Sequence, residues 1–159
     1  MKVRFRKVPS PGGMIVPLPR AATPGSAGLD LQACIDAPVT VMPGAQALLP
    51  AGLAVEIPEG YVGLVFGRSG LGIKHGITLS NSVGVIDSDY RGELRVGLIN
   101  HGEAEYTVEP GERIAQLVIM PYAAVEPVEA ESLGETERAD GGFGSTGRTT
   151  AGEPAGDKI

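Results

Sequence analysis

Cysteine is almost missing from this chain: Cys34 is the only one in 159 residues. An internal disulfide is therefore excluded. Nothing asks for an oxidising compartment, and a cytoplasmic setting is expected. Long apolar runs are missing as well. Residues 1–7 are basic, but no apolar run follows them, and Pro17 and Pro19 interrupt the one candidate at 14–18. Neither a signal peptide nor a membrane span is expected. Positive charge is in deficit, with 13 Lys and Arg against 19 Asp and Glu and a formal net charge of −6. A general nucleic-acid binder needs a basic face, which this balance argues against. A small phosphate-bearing substrate stays possible, because a few local arginines and a metal ion reverse the sign inside one cleft. Internal repeats and long windows of helical periodicity are absent too.

What the chain does have is glycine and proline, 24 and 13 residues respectively. They punctuate it every roughly 8 to 15 residues, a spacing that suits short strands and turns. The apolar content of 42% and charged content of 20% fit one globular domain. Strands are expected at 3–8 (an edge or partner-facing strand), 28–33, 39–41 and 47–57. The last of these is bent at Pro50-Ala51-Gly52. A further strand at 61–66 puts Val62, Leu64 and Phe66 on one face. Residues 71–75 read as the one helical turn. Segments 77–79 and 83–86 lead into a hairpin whose outgoing arm, 93–99, points Leu94, Val96 and Leu98 at the core. A short strand at 105–108 follows. Residues 113–120 are nearly all apolar and read as buried on both faces, ending at Pro121. The predicted class is all-β, a sandwich, jelly roll or barrel. Residues 1–135 form the core. Residues 136–159, small and polar after an acidic stretch, form a mobile C-terminal arm.

Five stretches carry candidate chemistry. Ala27-Gly28-Leu29-Asp30-Leu31 reads most simply as a strand whose aspartate caps a turn. Gly67-Arg68-Ser69-Gly70-Leu71 sets a guanidinium, a hydroxyl and a flexible amide at the opening of a helical turn. That set can hold phosphate oxygens, or be an ordinary strand-to-helix turn. Gly84-Val85-Ile86-Asp87-Ser88-Asp89-Tyr90-Arg91-Gly92 holds turn formers, but its tyrosine and second aspartate exceed what a turn needs. Gly111-Glu112-Arg113-Ile114-Ala115-Gln116-Leu117 puts two polar groups in an apolar strand, where each requires a partner. Arg113 reads as half of an internal ion pair; Gln116 is less easily explained. Finally, Arg138-Ala139-Asp140-Gly141-Gly142-Phe143-Gly144-Ser145-Thr146-Gly147 is either a disordered tail or a lid. In a lid the aromatic ring stacks on a base while the arginine and hydroxyls take phosphates.

In this order and spacing, from Ala27 to Gly147, the five stretches resemble the motif set of the homotrimeric dUTPases. The resemblance implies a distorted jelly-roll β-barrel and a homotrimer with three active sites shared between subunits. It also implies Mg²⁺ bound with the triphosphate, and hydrolysis of dUTP to dUMP and pyrophosphate. By motif match Asp87 orients and deprotonates the attacking water, and Tyr90 packs against the deoxyribose where a ribose 2′-hydroxyl clashes. The backbone at Gly84, Val85 and Ile86, with Asn81 nearby, reads the uracil edge. Arg68, Ser69, Gly70 and Gln116 contact phosphates. Phe143 from a third subunit's arm covers the uracil, and Arg138, Ser145 and Thr146 hold the γ-phosphate. Asp30 supports the metal-water network or Arg68. Arg95 is added only for its position beside the hairpin. Two positions depart from the pattern. Gly67 stands where many relatives have proline, and Ala139 stands where glycine is common.

Two other functions compete. The deoxycytidine triphosphate deaminases share the fold, but their catalytic glutamate lies seven residues after the hairpin aromatic. Here that position is Gly97, which has no side chain to do the work. A non-catalytic nucleotide-binding module is the second, since one fold hosts many functions. The presence of Asp87, Tyr90 and Phe143 argues against it.

Overall fold

The computed structural model describes residues 1–142. The chain divides into two compact units, Met1–Ala124 and Val125–Ile159. The first unit is all-β. It carries two four-stranded antiparallel sheets, a two-stranded ribbon and one short helix.

The first sheet is built from β1 (Arg4–Lys7), β4 (Gln46–Glu56), β8 (Glu93–Asn100) and β6 (Ile77–Leu79), in that order across the sheet. The second runs β2 (Leu29–Gln32), β10 (Arg113–Pro121), β5 (Tyr61–Gly67) and β7 (Gly84–Ile86). Strands β3 (Val39–Val41) and β9 (Tyr106–Val108) make the ribbon. This is the jelly-roll-like architecture expected from the punctuation of the chain. As expected too, β1 lies at a sheet edge, paired only with β4.

Alternation explains why the layers stay together. Leu94, Val96 and Leu98 on β8 are buried, as are Leu53 and Val55 on β4 and Ile114 and Leu117 on β10. They belong to one continuous apolar cluster. Each fully buried leucine or valine contributes roughly 1.5–3 kcal/mol relative to exposure. The bend in β4 falls where Pro50-Ala51-Gly52 suggested it, with a register shift against β8 between Pro50 and Ala54. Gly52 is left-handed there, at φ +64°, and a Cβ on it would lie 2.6 Å from Cys34 Sγ. Both the conformation and the space demand glycine. Helix α1 covers Ser69–His75, two residues earlier than the expected helical turn at its start.

Two expectations need correction. The segment 84–93 is not a hairpin. Strand β7 pairs with β5 in the second sheet, while β8 pairs with β4 and β6 in the first. The intervening residues therefore cross from one layer to the other. Strand β10 is buried on both faces only at Ile114 and Ala115; towards its end Met120 and Pro121 are exposed. On β5, Val62, Leu64 and Phe66 share one face as expected; it is the outer, half-buried face, with Gly63 and Val65 turned to the core.

Within the second unit, residues 125–142 contain no strand or helix. A turn there is closed by Ala139 N–H donating to Thr136 O at 3.1 Å. Ala139 has φ +45°, a left-handed conformation that costs an alanine more than a glycine. That is the position where the family pattern favours glycine.

Candidate active site

The candidate residues of the first unit fall into two groups, gathered around the two ends of β5. The first group surrounds Asp87. Strand β7 pairs Gly63 with Ile86, Leu64 with Val85 and Val65 with Gly84. Continuing that register sets Asp87 beside Val62, near the start of β5. Asp87 is exposed and opens a tight turn that Tyr90 N–H closes on Asp87 O at 3.2 Å. The Arg91 side chain caps the same turn, with Nη1 donating to Ser88 O at 2.6 Å and to Tyr90 O at 2.9 Å. The Tyr90 hydroxyl donates to Glu93 O at 3.0 Å, which fixes the tip of its ring.

Asp87 and Arg91 line an open groove of about 1160 Å³. Its floor includes Val62, Leu64 and Val85, and Arg4 stands on its far wall. The apolar outer face of the second sheet thus forms one side of the groove.

Asn81 precedes β7 on a tight turn. Val83 N–H donates to Asn81 O at 2.6 Å, with Ser82 between them at φ +61°. The turn brings Asn81 Nδ2 within 3.7 Å of where a Gly84 Cβ would stand. Asn81 and Gly84 are therefore neighbours at the start of β7. Arg95 is not drawn into the groove. It lies exposed on β8, 3.9 Å from Glu93 across its own sheet face.

The second group lies beyond the other end of β5. Asp30 on β2 stands opposite Gln116 on β10, and Gln116 opposite Phe66 on β5. One Asp30 oxygen pairs with Arg68 Nε at 3.2 Å and the other with Arg113 Nη1 at 3.0 Å. Arg68 Nη1 also donates to Arg113 O at 3.2 Å. The ion pair expected for Arg113 is thus present, with Asp30 as the partner. Gln116 Nε2 donates to Gly67 O at 3.1 Å. Ser69 and Gly70 are exposed in the first turn of α1. The amides of Leu71 and Gly72 already donate to Arg68 O, each at 3.1 Å.

Several contributors went unassigned in the sequence. Gly28 seats Gln116, because a Cβ at position 28 would lie 2.3 Å from Gln116 Oε1. The motif Ala27-Gly28-Leu29-Asp30 carries that signal in its glycine. Behind Arg68, Tyr106 donates its hydroxyl to Glu112, and its ring lies 4.8 Å from the His75 ring. Burial first, then the Glu112 hydrogen bond and charge, push the Tyr106 hydroxyl up to about 12; the Arg68 charge opposes them. Nothing in the local sequence of either residue announces this pair.

Arg138, in the second unit, donates Nε to Gly141 O at 2.9 Å. Phe143, Ser145 and Thr146 lie outside the described residues. Among the described residues, no group of three or more His, Cys, Asp and Glu is placed to hold a metal ion. No helix among them is long and apolar enough to cross a membrane. At position 97, where a deaminase would carry its glutamate, a Cβ would meet Ser80 Oγ at 2.4 Å. The space a side chain needs there is already filled.

The two groups do not meet within one chain. Arg68 lies six residues along β5 from Val62, the neighbour of Asp87. At about 3.3 Å per residue that is roughly 20 Å.

A family model described as dUTPase matches residues 15–147. The deoxyuridine 5′-triphosphate nucleotidohydrolase of Alcanivorax borkumensis is 50% identical over 149 residues, covering 93% of this chain and 99% of the relative. That of Bordetella avium is 55% identical over 133 residues, covering 83% of this chain and 89% of the relative. Among solved structures, a mutant Staphylococcus bacteriophage 80alpha dUTPase with dUpNHpp superposes with a TM-score of 0.81 at 28% identity, covering 92% of this chain and 98% of that one. A mutant dUTPase from phage phi11 of S. aureus, described with a structural Mg(II) ion, gives 0.72 at 25% identity, covering 83% and 98%. By the extent of the family match and the identity to these relatives, the chain belongs to the dUTPase family.

Proposed function

We propose that this chain hydrolyses dUTP to dUMP and pyrophosphate, with Mg²⁺, at sites shared between the subunits of a homotrimer. The observation that carries the shared site is the roughly 20 Å of β5 between Asp87 and Arg68. A uracil against Gly84 sits opposite Val65, and its phosphates then run past Asp87, away from Arg68 of the same chain. The phosphate-holding group must come from a neighbouring copy. The apolar outer face at Val62, Leu64 and Val85 supports the same reading, because it offers that neighbour a surface.

In this reading Asp87 takes a proton from the attacking water. An aspartate carboxylate is ionised at neutral pH, and the exposed turn at residues 87–90 leaves it open to solvent. Asn81 and the backbone of Gly84, Val85 and Ile86 pair with the uracil edge. They reject cytosine, whose amino group offers a donor where uracil offers an acceptor. Tyr90 lies against the deoxyribose. From the neighbour, Arg68, Ser69, Gly70 and Gln116 stabilise charge on the phosphate oxygens. In the assembled trimer of this reading, a third subunit supplies Phe143 to the base and Arg138, Ser145 and Thr146 to the γ-phosphate.

Mg²⁺ bound with the triphosphate adds charge neutralisation there. The donor set fits an ion held mainly by phosphate and water. Both oxygens of Asp30 are already paired to arginine, so Asp30 would hold Arg68 in place rather than ligate the ion directly. A cytoplasmic setting goes with this reading, since a single cysteine leaves no internal disulfide that needs an oxidising compartment.

Pyrophosphate release from dUTP, UTP, dTTP and dCTP, with and without Mg²⁺, tests the proposal. Fast release from dUTP alone, abolished by chelation, supports it. Equal release from UTP removes the role given to Tyr90, and any deoxyuridine product from dCTP removes hydrolysis as the sole chemistry.

A further inference from the structure

We infer that Gly92 is a positioning residue for Tyr90, and that through it Gly92 sets how strongly the enzyme rejects ribonucleotides. The inference rests on the role proposed above for the Tyr90 ring.

The geometry is a ring laid over an empty Cβ position. Built on Gly92, a Cβ would stand 2.3 Å from the Tyr90 hydroxyl oxygen, 2.5 Å from Cζ and 2.9 Å from Cε2. No real Cβ tolerates such contacts. The ring therefore folds back over the backbone two residues downstream, and its hydroxyl is pinned there by donating to Glu93 O at 3.0 Å. The backbone beneath is held from the other side, where Arg91 Nη1 donates to Tyr90 O at 2.9 Å.

Tyr90 is 44% exposed and is not part of the apolar cluster. Its orientation is set by two local features, the missing side chain at 92 and the carbonyl at 93. Gly92 is not among the left-handed glycines, so its requirement is for space rather than for backbone freedom. The three atoms nearest that Cβ all belong to the Tyr90 side chain. Since the ring is the far end of a flexible, exposed side chain, it moves and the fold stays.

Rejecting a single additional hydroxyl by packing is sensitive to the wall's position. A wall displaced by an ångström stops colliding with the ribose 2′-hydroxyl. Gly92→Ala should therefore keep a near-native melting temperature while the ratio of kcat/KM for dUTP to that for UTP falls roughly tenfold or more. Tyr90→Phe keeps the ring over Gly92 but loses the pin, and should lower the ratio by less. In a Tyr90→Ala background, adding Gly92→Ala should change the ratio no further, because the ring it acts through is gone.

A folded Gly92→Ala enzyme with the wild-type ratio overturns the inference, as does an undiminished effect without the ring. Should Gly92→Ala fail to fold, Tyr90→Phe decides: a lowered ratio supports the pinned ring, and an unchanged one overturns it. Failure here is separable from failure of the proposed function. If the wild-type enzyme itself takes UTP and dUTP alike, the role of Tyr90 falls first.

Discussion

Asp87 and Arg68 lie at opposite ends of β5: Val62, the register neighbour of Asp87, is six residue steps from Arg68 along the chain. The proposed site therefore draws the two groups from different copies of the chain.

Subunit mixing tests this directly. Asp87→Asn and Arg68→Ala enzymes should each be nearly inactive alone. Dissociated and reassembled in equal amounts, they should regain about a quarter of the wild-type sites, because a cyclic trimer then pairs an intact Asp87 with an intact Arg68 at that frequency. Pyrophosphate release before and after mixing reads the result. No recovery, in trimers shown by mass to be mixed, would place both groups in one chain.

Asp87→Asn keeps size and shape but removes the proton acceptor. Turnover should fall by roughly 10²- to 10⁴-fold with dUTP affinity little changed. Titration calorimetry beside a rate assay separates the two. A near-normal kcat would take the water-activating role away from Asp87.

Arg113 is expected to act on substrate only through Asp30. Arg113→Ala should raise KM several-fold through a loosened Arg68, with a smaller effect on kcat. An exposed pair of this kind should cost stability only about 1 kcal/mol. Arg113→Lys should recover the stability better than the KM, because a lysine does not reproduce the guanidinium fork. A loss confined to kcat would contradict this arrangement.

Tyr106 gives the fold an alkaline limit. In the folded protein its hydroxyl holds a proton up to about 12, against an ordinary value of 10.0. Between those values the unfolded chain has released a proton that the folded one keeps. The stabilisation is therefore complete below the lower value and is lost as pH rises through the upper one. Equilibrium denaturation across that window should show falling stability in the wild type and a flatter profile in Tyr106→Phe.

Much of this was legible from local pattern. Alternation placed Leu94, Val96 and Leu98 inside, and Pro50-Ala51-Gly52 marked the bend of β4. Those signals are local, and the structure keeps them. What was not legible depends on pairing between distant segments. Residues 84–93 look like a hairpin because turn formers separate two strands, and nothing local says that the strands join different sheets. The Tyr106–Glu112 bond and the double pairing of Asp30 are likewise set by register across the sheet. Strand β10 misled because its apolar run continues past the core to Met120 on an exposed face.

The crossing of residues 87–92 between layers has a mechanical meaning. The Asp87 carboxylate, the proposed base, is mounted on a segment joining the two sheets, not on the rim of either. Any slip of one layer against the other tilts that segment before a single strand pair has opened. Catalysis in such a molecule acts as a strain gauge for the sandwich. Activity should decline with the first loosening between the sheets, while each sheet taken alone is still intact.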